Sequence, residues 1–150
     1  NLKLFGVDRS EGQLATLRYR HPYDLLKADL TIVDVTMSEI VLPTVDVVYS
    51  QAVFMHISEK GNRFYTALTN AFMAAKYHVV MVENWTEHDF LAAVKSVTAV
   101  NADWVNAKYY YAPSHNDDEC RAMIVSKIDL PFMKLENFET LLQGRKLQIH

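Results

Sequence analysis

Four apolar runs of this chain each end on side chains able to hold or act on a small molecule. LFGV hands over to Asp8, TIV to Asp34, VDVV to Tyr49, Ser50 and Gln51, and HVVMV to Glu83 and Asn84. A short apolar run with polar residues at its carboxyl end suits a strand buried in a parallel sheet. In such sheets ligands bind in the crevice outside the carboxyl ends of the strands. The Tyr49-Ser50-Gln51 segment is therefore the first place to expect a bound molecule. His56 closes the same stretch, and its ordinary pKa of about 6.5 suits general-base work, as it does for any histidine. Plainer readings stand beside these. Asp8 can cap the helix that follows. Asp34 opens an Asp-x-Thr-x-Ser stretch of ordinary turn chemistry. His56 can pack on a helix, and Glu83 can pair with a basic residue at the sheet end. No serine–histidine–acid or cysteine–histidine arrangement is legible.

These residues need elements to place them. Leu2 to Val7 reads as a strand. Ser10, with Gln13 three residues on, opens a helix over about Glu11 to Tyr19. His21-Pro22 ends it, because the residue before proline avoids the helical region. Ala28 to Val33 and Val45 to Ser50 read as the next strands. Ser58 caps a long helix over about Lys60 to Ala75, with Leu68, Phe72 and Ala75 on one face. Tyr77 to Glu83 is a fourth strand. Thr86 then caps a helix over about Glu87 to Val97, with Phe90, Leu91 and Val94 inward. Trp104 to Ala112 and Arg121 to Lys127 form an antiparallel hairpin around the polar loop PSHNDDE. Cys120 packs in or near that hairpin, and at least one of Tyr109, Tyr110 and Tyr111 is core. A weak helix near Leu135 to Leu142 is stopped by Gly144. Strands alternating with helices predict an α/β fold with a mostly parallel sheet covered on both faces.

The 150 residues make one domain most simply, and half of them are apolar, enough for a real core. Fifteen basic against eighteen acidic residues leave a net charge of −3 with the signs mixed. That is not the basic footprint of a nucleic-acid binder. The single cysteine excludes an intrachain disulfide and a cysteine-rich metal site, and it suits a reducing cytosol. No apolar run approaches the roughly 20 residues that span a bilayer. His78 and His88 lack zinc-ligand spacing, and His115 to Glu119 lacks the pattern of a calcium loop. No metal is expected. The chain opens on Asn1 and reads almost at once as a strand, like the carboxyl-terminal part of a longer protein.

The order FGVD, TIVD, VDVVYSQAVFMHI, long helix, strand ending in Glu-Asn-Trp, helix and closing hairpin resembles the class I S-adenosylmethionine-dependent methyltransferases. The likeness covers roughly Leu2 to Lys127. It implies a Rossmann-like three-layer sandwich whose sheet closes with an antiparallel hairpin. It implies that Asp8 accepts from both ribose hydroxyls of the cofactor, for which a carboxylate has the right acceptors. Arg9 and Ser10 would then lie beside the adenine or ribose. Asp34 would accept from the adenine amino group and Val35 flank the ring. Tyr49, Ser50 and Gln51 would pass under the methionine moiety. Glu83, Asn84 and Trp85 would face the pocket of a small-molecule acceptor. His56 is the first candidate base and Glu83 the second.

One departure stands out. The family's glycine-rich loop after its first strand has no counterpart among Gly6, Gly12, Gly61 and Gly144. The corresponding strand and loop would precede Asn1, and that strand would lie between the strands ending at Asp8 and Ser50. A gap there leaves backbone groups unpaired. Either those two strands pair directly, or a missing amino-terminal segment or a second copy fills the gap. The expected activity is cytoplasmic methyl transfer to a small acceptor, without nucleic-acid or membrane partners. The alternatives are a non-catalytic methyltransferase-like partner or assembly module and another doubly wound nucleotide-binding domain.

Overall fold

A computed structural model describes residues 2–22, 28–112 and 120–130, without the side chains of 111, 112 and 120. The loop 113–119, the expected helix near 135–142 and the side chain of Cys120 lie outside the described residues. In chain order the elements are β1 (Leu4–Asp8), α1 (Glu11–Arg20), β2 (Ala28–Ile32), β3 (Val45–Gln51), α2 (Arg63–Ala74), β4 (Ala75–Asn84), α3 (Phe90–Ala99), β5 (Lys108–Ala112) and β6 (Cys120–Ser126). The alternation is that of an α/β sandwich. No described helix is long and apolar enough to cross a membrane.

Two sheets form. β1 pairs with β2 in parallel, and a second sheet runs β3-β4-β6-β5. In that sheet β3 and β4 are parallel, whereas β6 runs antiparallel to both β4 and β5. β1 and β3 do not pair with each other, so direct closure, one expected outcome, does not occur. The connection after β2 is fixed on α2 instead: Asn70 Nδ2 donates to Val35 O and Met37 O, both at 2.9 Å. β1 and β3 each keep an edge without a strand partner among the described residues, and these edges define an open seam. The two strands carry exposed apolar side chains, among them Leu4, Phe5, Val7, Val47 and Tyr49.

The core sits under the larger sheet. Phe64, Leu68 and Phe72 of α2 and Phe90, Val94 and Val97 of α3 pack with Val79, Met81, Met123 and Val125. Trp104 closes one end, its Nε1 donating to Phe72 O at 2.9 Å and its ring edge-on to Phe72. By contrast α1 buries only Leu14. A helix so polar depends on what it packs against.

Several boundaries differ from the sequence reading, each for a local reason. Ser58 Oγ accepts from Lys60 N, but a short 3-10 turn, Lys60–Asn62, comes first. Gly61 and Asn62 both take positive φ there, so the α-helix starts at Arg63. Asp89, not Thr86, caps α3, accepting from Ala92 N at 3.0 Å. Thr86 is instead held by Asn84, whose Oδ1 accepts from Thr86 N and Oγ1. The later start puts Phe90, Ala93, Val94 and Val97 inward and leaves Leu91 half-buried. The strand expected from Trp104 begins only at Lys108, because a turn through Asn101, Trp104 and Ala107 precedes it.

Candidate functional site

The carboxyl ends of β1 and β2 lie side by side, and the chain after β2 is tied to the start of α2. Asp8 O accepts from Val33 N at 2.9 Å, which sets Asp8 beside the end of β2. Asp34 and Thr36 follow β2, and both are reached by Arg63, the first residue of α2. That helix begins where the chain has just left β3. Asp8, Asp34 and the start of α2 thus form a rim, and the chain reaches α2 from β3 through the turn after Gln51.

Asp8 is half-buried, and its Oδ1 accepts from Ser10 N at 2.8 Å. Ser10 in turn caps α1 by accepting from Gln13 N. Arg9 is exposed. Asp34 is bound within its own turn: Oδ1 accepts from Thr36 Oγ1 at 2.7 Å and from Thr36 N at 2.9 Å. These hydrogen bonds, with Arg63 and Arg9 nearby, hold its carboxyl below the ordinary aspartate range. Val35 turns toward the main core and is half-buried there.

The stretch Tyr49 to Gln51 splits between two faces, as period-2 alternation requires. Tyr49 and Gln51 are exposed on one face, the Tyr49 hydroxyl donating to Gln51 Oε1 at 2.6 Å. Ser50 is buried on the other and donates to Glu83 Oε1 at 2.9 Å. Ala52 then takes φ 51°, a left-handed conformation that costs a non-glycine residue about 1–2 kcal/mol. The twist turns the next backbone amides inward. Val53 N donates to Glu83 Oε2 at 3.0 Å and Met55 N to the same oxygen at 3.2 Å. Glu83 itself is 0% exposed.

This places the two candidate bases differently. Glu83 is enclosed in the core and held by three donor groups, so the geometry gives it a holding role. His56 ends the single turn Phe54–His56 and is exposed at the rim. The alternation Val79, Met81, Glu83 along β4 was a legible signal that Glu83 faces the core. Arg63 and Asn70, which tie the rim to α2, carried no comparable local signal.

Known structures share the fold. The magnesium protoporphyrin IX methyltransferase from Synechocystis PCC 6803, solved with bound SAM, superposes with a TM-score of 0.65 at 10% identity. The match covers 84% of this chain and 60% of that one. The methyltransferase domain of bacterial CtHen1-CN gives 0.64 at 15% identity, over 83% of this chain and 77% of that one. The N-methyltransferase NodS from Bradyrhizobium japonicum WM9, in complex with S-adenosyl-L-homocysteine, gives 0.59 at 12%, over 85% and 67%. The chain has the Rossmann-like fold of class I methyltransferases. It spans only three fifths of the length of the first of these relatives. No protein-family profile and no curated protein sequence matches it.

Two outcomes test this geometry. Glu83→Leu leaves Val53 N and Met55 N without their acceptor and lowers unfolding stability by about 2–4 kcal/mol in urea melts; an unchanged midpoint would refute the holding role. Asp34 contributes stability that is fully present above its ordinary value of 3.8 and is lost as pH falls through its lowered folded value. In Thr36→Val the Asp34 titration followed by NMR moves up toward that ordinary value. A midpoint that stays put would show that Thr36 is not the cause.

Proposed function

We propose that this chain is the larger part of an S-adenosylmethionine-dependent methyltransferase that acts on a small acceptor in the cytoplasm. What supports the reading is that Asp8 and Asp34 stand at the carboxyl ends of the paired strands β1 and β2, and Tyr49–Gln51 at that of β3, the strand ends at which sheets of this fold bind ligands. Two of the fold relatives were crystallised with SAM or its demethylated product, which supports the choice of nucleoside.

The residues present fit the nucleoside part of that cofactor. Asp8 offers carboxylate acceptors suited to a vicinal diol, at the mouth of the seam. Asp34, with Val35, stands beside it for the base. Tyr49 and Gln51 offer a hydroxyl and an amide on the exposed face of β3. When bound, the cofactor supplies an electrophilic methyl group. The chain's own task is then to align an acceptor with it, and alignment outweighs proton removal in such displacements. His56 is the exposed rim residue able to take a proton.

The seam bears on the same reading. β1 and β3 each present an edge without a strand partner among the described residues. Unpaired edges flanked by apolar side chains favour addition of a strand. We assign that place to a segment of the natural polypeptide preceding β1, with a second copy as the other source. Filled, the seam would bring backbone between Asp8 and Tyr49. The open seam equally favours the second reading, a non-catalytic module whose strand edges dock a partner.

Calorimetry with S-adenosylhomocysteine on the protein in its natural full length should show binding. Asp8→Ala should weaken it by about 1–3 kcal/mol through lost charge-assisted hydrogen bonds. Absence of heat from that protein would move the assignment to the docking module. In hydrogen exchange, amides of β1 and β3 should be protected in the full-length protein and exchange faster in the isolated 150 residues. Equal exchange in both would sink the filled seam.

A further inference from the structure

The larger sheet has two apolar faces, and the helices of the core cover one of them. α2 and α3 pack on the face that carries Val79, Met81, Met123 and Val125. α1 packs on β1 and β2. Strand register assigns the opposite face: Tyr49 stands beside Val80, Val80 beside Ile124, and Ile124 beside Tyr110. This row of apolar and aromatic side chains crosses the whole sheet. Its exposure rises along the way, from 6% at Tyr110 through half-buried Ile124 and Val80 to 60% at Tyr49. Val82, two positions on from Val80, is half-buried on the same face. Parallel strands with apolar side chains on both faces are normally covered on both, and an uncovered apolar face marks a contact surface.

The chain leaves the sheet on that side. Ser126, the last residue of β6, belongs to the open face, two positions along from Ile124. Its Oγ accepts from Ile128 N at 3.2 Å and donates to Ile128 O at 2.5 Å. Lys108 stands opposite Ser126 on the same face, and its Nζ donates to Asp129 Oδ1. Two successive contacts thus draw residues 128 and 129 toward the uncovered side. Leu130 follows, half-buried. Beyond it the sequence reads PFMKLENFETLLQGRKLQIH. Leu135, Phe138, Leu141 and Leu142 recur there at helical spacing, with Glu136, Glu139 and Gln143 between them on the other side of the same turns. A short helix with one apolar stripe is stabilised by the surface it packs on. The direction of the chain delivers this one beside an apolar surface in need of cover.

We propose that residues 131–150 fold back along β6 and β4 and seat Leu135, Phe138, Leu141 and Leu142 on Ile124, Val80 and Val82. β6 runs antiparallel to β4, so the chain departs beside His78 at the start of β4, the end of the sheet away from Gln51 and Asn84. The segment then runs back toward those strand ends. A helix is about 10 Å across and strands lie about 4.8 Å apart, so one helix covers two strands. Laid on β6 and β4, it leaves Tyr49 and Gln51 of β3 clear. The contact does not depend on the methyl-transfer reading, and it uses a different surface from the seam between β1 and β3.

Methyl NMR on the natural full-length protein, with Ile, Leu and Val methyls labelled, reads the contact directly. NOEs should join the Leu135, Leu141 and Leu142 methyls to those of Val80 and Ile124. In amide hydrogen exchange, Phe138→Asp should speed residues 135–142 at least about tenfold and leave the amides of α2 as they were. Methyls of the three leucines without NOEs to Val80 or Ile124 would overturn the assignment. So would NOEs from Val80 and Ile124 to the segment preceding β1 in their place. In a sample mixing labelled and unlabelled protein, contacts to the tail of a second copy would overturn it too, as would unchanged exchange in Phe138→Asp. The NOE measurement needs no variant to fold, and its outcome is separate from S-adenosylhomocysteine binding.

Discussion

A single buried carboxylate organises the working end of this molecule. Glu83 lies at the core-facing end of β4, where a charge without partners would be intolerable. Three donors answer it, all from the neighbouring strand and its turn: Ser50 Oγ, Val53 N and Met55 N. The arrangement is demanding. It draws Ser50 inward, holds Ala52 in a left-handed conformation and sets the direction in which the chain leaves β3. Tyr49, Gln51 and His56 reach the rim because their neighbours are committed to Glu83. Backbone strain of this kind persists where surrounding contacts over-determine it, and Glu83 is the contact that does so here.

The second organising feature is the coupling of two sheets that do not touch edge to edge. The β1–α1–β2 unit has little core of its own; α1 buries only Leu14, and β1 is largely exposed. It is tied to the main sheet through the chain after β2. Arg63 reaches Asp34 and Thr36, and Asn70 holds the carbonyls of Val35 and Met37. These contacts come from one side of α2. They align the strand ends on a rim while leaving the seam between β1 and β3 open. A rim whose two halves are joined this way is sensitive to whatever occupies the seam. The same openness that invites a strand would also serve a docking partner.

The strand ends differ in chemistry. Asp8 and Asp34 offer carboxylates, and Tyr49 and Gln51 a hydroxyl and an amide on the exposed face of β3. Past the end of β4, Trp85, His88, Leu91 and Arg121 line a separate cleft.

Much of the architecture was legible from local pattern. Apolar runs of strand length, Ser10 before its helix and the helical spacing of Leu68 and Phe72 each follow from interactions within a few residues, so the sequence by itself determined the strand–helix order and the polar strand ends. Asp34 shows the limit: its Asp-x-Thr turn was visible, but not that Arg63, 29 positions on, would reach it. Helix starts shifted where competing caps stood close together, as with Thr86 and Asp89. Only the tertiary structure decided that Glu83 would be enclosed by the turn after β3, that His88 would meet Glu59 over Phe64, and that β1 and β3 would stay apart. Periodicity and capping are written into neighbouring residues. The pairing of groups some thirty positions apart is settled by which surfaces pack together, and no short stretch of chain carries that information.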